Sequence, residues 1–122
     1  MEKRKHMKQY NIYSDYNKES DLCGVIHCEV KDFDIHYKVE IIGDQDRWDF
    51  PVDLLGIHRD WGNESQPEII RWLESRVVPK NRMWLDKILE SVGLHEWNLD
   101  ALLKLNQGRV SDDKFSVEIV EA

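Results

Sequence analysis

Cysteine is scarce in this chain, with only Cys23 and Cys28 among 122 residues. That count excludes the dense disulfide framework of small secreted scaffolds and predicts reduced thiols. Long apolar runs are missing as well, so the roughly 20 residues that span a bilayer are not available as one helix. The first residues, MEKRKHMK, are basic but have no apolar stretch behind them. An export signal needs one, and a cytoplasmic location is the expectation. The six glycines are scattered. They form neither a GxGxxG nor a GxxxxGK[ST] phosphate cradle, and no GxSxG nucleophile elbow occurs.

What is present is charge, aromatic bulk and clear periodicity. Charged residues make up 34% and five residues are Trp. The net charge is −7, and Lys3, Arg4, Lys5 and Lys8 against Glu2 give residues 1–8 a net of +3, leaving −10 on the remainder. An acidic body of this kind repels nucleic acid and anionic membrane and attracts basic surfaces. The length fits one domain. Residues 1–8 lack apolar periodicity and read as a disordered basic tail, with 9–122 a single domain.

Phe33, Ile35, Tyr37, Val39 and Ile41 alternate with Asp34, His36, Lys38 and Glu40, the period of a strand with one wet face. Ile26, Cys28 and Val30 share a face of the preceding segment, so a β-hairpin is predicted with Lys31-Asp32 as its connection. A further short strand is expected over 10–13, and Gly43-Asp44-Gln45-Asp46 reads as a turn. Pro67 suits a first helical turn, followed by Ile69, Ile70 and Leu73, and Pro79 ends that helix. A second helix is predicted from Asn81 or Arg82 to Val92 with Gly93 as its stop, and a third with Asn98 as N-cap ahead of Leu99, Leu102 and Leu103. Phe115, Val117 and Ile119 alternate with Ser116 and Glu118 as a last strand. The predicted fold is α+β: a small antiparallel sheet of N-terminal hairpin plus C-terminal strand, packed with three short helices.

No catalytic constellation survives inspection. His58-Arg59-Asp60 reproduces three letters of the kinase catalytic loop, but the position five residues after the Asp, where an Mg²⁺-binding Asn belongs, is Ser65. Cys23, His27, Cys28 and His36 have the donor types of a zinc site, yet Cys23 and Cys28 have opposite strand parity and need a bulge to converge. Cys28 reads instead as a small core residue. No enzyme activity, metal or cofactor is expected.

Contact residues are easier to nominate. Asp44, Asp46, Asp49, Asp60 and Glu64 cluster around Trp61, which lies between Asp60 and Gly62 in the most polar loop. Acid plus aromatic makes a usable interface. Arg76, Lys80 and Arg82 form a basic cluster around Pro79. Trp72, Trp84 and Trp97 read as core residues, while Trp48 reads either as part of the acid-plus-aromatic contact segment or as core.

The landmarks Pro79, Arg82, Leu85, Gly93, Leu94, Leu102, Leu103 and Gly108, with Phe50-Pro51 and Leu54-Leu55 ahead of them, resemble the N-terminal accessory subdomain of HipA-like toxin kinases. Where that family often has Leu-Leu-Pro-Glu-Gly, this chain has Val77-Val78-Pro79-Lys80-Asn81. The kinase core has no counterpart here. The resemblance implies a free-standing small subunit of toxin–antitoxin type, a non-catalytic module that binds and modulates a HipA-like kinase. The charge balance alone supports an alternative, an acidic phage or mobile-element inhibitor that enters the basic channel of a nucleic-acid enzyme as an anti-CRISPR-like DNA mimic. Either way the expected partner is a protein, with no direct nucleic-acid or membrane binding.

Overall fold

The computed structural model describes residues 5–44, 46–54 and 66–121. Strands β1 (Lys5–Ser14), β2 (Asp21–Lys31) and β3 (Asp34–Ile41) lead through a 3₁₀ turn, Val52–Leu54, to helices α1 (Gln66–Glu74), α2 (Leu85–Ser91) and α3 (Leu99–Asn106), and strand β4 (Phe115–Glu121) closes the order. The four strands form one antiparallel sheet in the order β3-β2-β1-β4. The α+β architecture is the one the periodicity predicts.

One apolar cluster joins Tyr10 and Ile12 of β1, Ile26 and Cys28 of β2, and Val39 and Ile41 of β3 to Ile69, Trp72 and Leu73 of α1 and Leu103 of α3. Strand alternation points these sheet residues to one side, and the helices lay their apolar stripes against it. The opposite face carries polar pairs: Tyr13 Oη donates to Glu118 at 3.2 Å, and His27 Nε2 lies 2.9 Å from Glu40. Phe50 presses onto β2 at Gly24, where an added Cβ would come within 2.7 Å of the Phe50 ring. Helix α3 begins as predicted, with the Asn98 side chain accepting from Ala101 N at 2.9 Å.

Several boundaries differ from expectation, each for a physical reason. Strand β1 begins at Lys5, so residues 5–8 belong to the sheet and not to a disordered tail. Lys8 reaches across to Asp100, which also accepts from Tyr10 Oη at 2.8 Å, a tie between β1 and α3 that local sequence does not announce. The hairpin turns at Asp32-Phe33 rather than Lys31-Asp32. Both turn residues have positive φ, 54° and 68°, and the last cross-strand pair is Lys31 with Asp34. This is the backbone twist that two-residue hairpins require. It carries Phe33 off the strand face and fully into solvent.

The second helix starts three or four residues later than predicted because Trp84 has φ 63° and ψ 27°, which a right-handed helix cannot contain. The β1–β2 pairing slips between Ile12 and Tyr13, placing an extra residue at Cys23. That bulge brings Cys23 into the same buried cluster as Cys28. Among the described residues, no helix is long and apolar enough to cross a membrane.

Candidate interaction surface

The predicted contact residues separate into internal and external groups. Asp49 is 3% exposed. Its carboxylate accepts from Arg47 Nε at 2.7 Å and Nη2 at 2.9 Å, while the same guanidinium donates to the Asp21 carboxylate at 2.6 Å and to the Ile42 carbonyl at 2.9 Å. Arg47 thereby pins the segment after β3 to the start of β2. The Arg47 guanidinium, outweighing burial, holds the Asp49 carboxyl below its ordinary range. Asp49 is structural and unavailable to a partner.

Arg76, nominated as a contact residue, is internal as well. It is 2% exposed, stacks over the Trp72 ring at 4.7 Å and donates to the Asp113 carboxylate at 2.6 and 3.0 Å. Its remaining donors go to the carbonyls of Gly108 and Phe115. The planar fork thus ties α1 to the turn after α3 and to β4. At 2% exposure the side chain is closed to a partner.

Asp44 and Asp46 are exposed, in a turn where the Asp44 side chain accepts from Asp46 N at 2.9 Å. Trp48 beside them is 71% exposed, not core, and meets the Tyr16 ring edge-on at 5.6 Å. Asp60, Trp61 and Glu64, together with the His58-Arg59-Asp60 triplet, lie outside the described residues. Neither set of nominated residues forms one patch as a whole.

Lys80 and Arg82 stand differently. Every residue from Pro79 to Trp84 is exposed, with Met83 at 74% and Trp84 at 63%. The segment is nonetheless fastened. Trp97 Nε1 donates to the Val78 carbonyl at 2.7 Å, Arg82 N to Pro79 O at 3.1 Å and Leu85 N to Arg82 O at 3.2 Å. Lys80 lies 4.5 Å over the Trp97 ring and 3.4 Å from Glu74. Beside it runs a groove of about 370 Å³ bounded by Arg71, Glu74, Lys80 and Trp97. Lys87 covers part of the Trp84 ring at 4.9 Å.

Trp84, expected in the core from its place beside a helix, is exposed, and Met83 has no signal in the sequence that marks it. Trp72 is buried as expected, and Trp97 is partly so. Helical spacing puts Trp84 four residues before Ile88, on the stripe that packs, and only its left-handed backbone turns it away.

Cys23 and Cys28 are both buried, and burial pushes the Cys23 thiol up to about 12 and raises that of Cys28. They are protonated core side chains at neutral pH. Among the described residues no group of three or more His, Cys, Asp or Glu is placed to hold a metal ion. An exposed thioether and indole next to exposed Arg82, with Lys87 over the indole, have the composition of an interface centre. No family model matches the chain, and no curated protein or solved structure matches it either.

Proposed function

We propose that this chain is a non-catalytic protein-binding module of the cytoplasm whose contact surface is the Pro79–Trp84 segment, centred on Met83 and Trp84. The observation that carries this reading is the left-handed backbone of Trp84. For an L-residue that conformation costs about 1–2 kcal/mol. The indole it displays is mostly in solvent, with the Lys87 ammonium over its ring. Strain retained where the fold does not use the side chain points to use by something else.

The partner class is the HipA-like kinase that the resemblance implies, since Pro79 and Arg82 are among its landmarks. The DNA-mimic alternative draws less support, because Asp49, one of its carboxylates, is consumed by Arg47 inside the fold. Calorimetric titration against a HipA-like kinase encoded beside this chain tests the reading. Trp84→Gly should weaken binding by about tenfold or more, a loss typical of one interface anchor. The double reversal Asp44→Lys, Asp46→Lys should leave it within about twofold, as rim charges do. A kinase that does not bind removes the partner assignment. Binding lost on the aspartate reversals and kept in Trp84→Gly removes the surface assignment.

A further inference from the structure

Strand β4 is an outer strand of the sheet, and its free edge is covered along only half its length. Val117 N donates outward to Gln107 O at 2.8 Å, which fixes the phase of the strand: the odd-numbered residues turn their backbone groups away from β1. The early part of this edge is closed. Phe115 O accepts from Arg76 at 3.0 Å, Phe115 N donates to the Asp113 carboxylate at 3.0 Å, and Val117 N is taken by Gln107. From the Val117 carbonyl onward, through the N–H and C=O of Ile119 to the N–H of Glu121, no described residue bonds the edge.

The open stretch is also shaped. A groove of about 510 Å³ follows it, with Tyr13, Ser116 and Glu118 on one side of the strand and Lys104 and Gln107 on the other. Val117 and half-buried Ile119 face the helical side, and Glu118 faces the wet side beside Tyr13.

We infer that this edge accepts an extended peptide in which basic and apolar residues alternate, added to the sheet as a fifth strand beside β4. The hydrogen-bond groups of Val117, Ile119 and Glu121 supply the main-chain ladder. Strand alternation places the peptide's apolar residues next to Ile119 and its Lys or Arg residues next to Glu118. Charge selects this occupant over a second copy of the chain. Antiparallel self-pairing about Ile119 would bring the two Glu118 carboxylates onto one face at diagonal positions and would join two bodies of net charge −7. The inference concerns a surface separate from Met83 and Trp84 and stands independently of the function proposed above.

Fluorescence polarisation with a labelled, end-capped Val-Lys-Val-Lys-Val-Lys peptide tests it, alongside a Lys-Lys-Lys-Val-Val-Val peptide of equal composition. The alternating peptide should bind about tenfold more tightly than the block peptide, because only alternation fits a pleated edge. Ile119→Pro removes the outward N–H, a change that edge strands tolerate in folding, and should weaken binding by about tenfold. Glu118→Lys should weaken it by about fivefold or more and favour a Val-Glu alternating peptide instead. Circular dichroism and the urea midpoint establish that each variant is folded. Equal affinity for both peptides, binding untouched in folded Ile119→Pro, or no saturable binding at millimolar peptide would overturn the proposal. So would a concentration-dependent dimer abolished by Ile119→Pro, which would assign the edge to a second copy.

Discussion

Replacing Arg76 by Ala is the sharpest probe of what holds this fold together. The guanidinium is almost wholly buried, and its removal strands the Gly108 and Phe115 carbonyls together with the Asp113 carboxylate. Each buried acceptor left unpaired costs about 1–3 kcal/mol, and breaking a buried ion pair costs about 3–5 kcal/mol. Asp113 remains about a quarter exposed, so water recovers part of its loss and the lower half of that range applies. Loss of the stacked contact with Trp72 adds to it. Because the cost of breaking a buried pair already contains most of the groups left unpaired, these terms overlap, and a net of about 3–4 kcal/mol remains, a large share of the 5–15 kcal/mol of a typical domain. With a urea slope of about 1.5 kcal/mol per M, the unfolding midpoint followed by Trp fluorescence should fall by about 2–3 M.

The same variant has a pH signature. Burial raises the Asp113 carboxyl, but Arg76 and the Phe115 N–H outweigh it and hold the group below its ordinary range. A depressed acid stabilises the fold above its unfolded value, about 3.9, and that contribution is lost as pH falls through the folded value. Without Arg76 the depression is removed. The stability gap between wild type and Arg76→Ala should therefore narrow as pH is lowered below about 4. A loss under about 1 kcal/mol at neutral pH, or a gap that widens in acid, would refute the reasoning.

Two further outcomes follow from single positions. Gly108 has φ +64°, and a Cβ there would come within 2.6 Å of the Val117 Cβ, so Gly108→Ala should lower stability by about 2–4 kcal/mol in the same urea assay. Cys23 and Cys28 should be inert to a thiol-specific chromogenic reagent in the native protein at pH 8 and react fully in denaturant; rapid native labelling would show that the cluster around β2 opens.

Much of the fold was legible because it is written in local periodicity. The alternation over 35–41 and 115–119 and the Asn98 cap ahead of three leucines all became the expected elements. What escaped depends on partners far along the chain. Arg76 looks like a surface cation in sequence, yet its acceptors lie 32 to 39 residues away. Lys8 looks like a tail residue until Asp100 meets it from 92 residues away. Phe33 extended a convincing alternation, but hairpin twist outranked the pattern. For the candidate surface, the nominated Lys80 and Arg82 are exposed, while Trp84, read as core, is exposed too, since no composition rule announces a left-handed tryptophan.

The place of β4 beside β1 has a consequence for how this chain is made. Tyr13 and Glu118, hydrogen-bonded across that pairing, are 105 residues apart in sequence. A ribosome releasing about 5–20 residues per second emits the three-stranded meander seconds before its fourth strand. During that interval β1 is itself an uncovered edge and the residues destined for α3 lack their floor. Closure of so long a loop also slows folding in free solution. A nascent chain of this protein therefore spends its most aggregation-prone moments before β4 emerges, and a holdase that shields strand β1 would act at that stage.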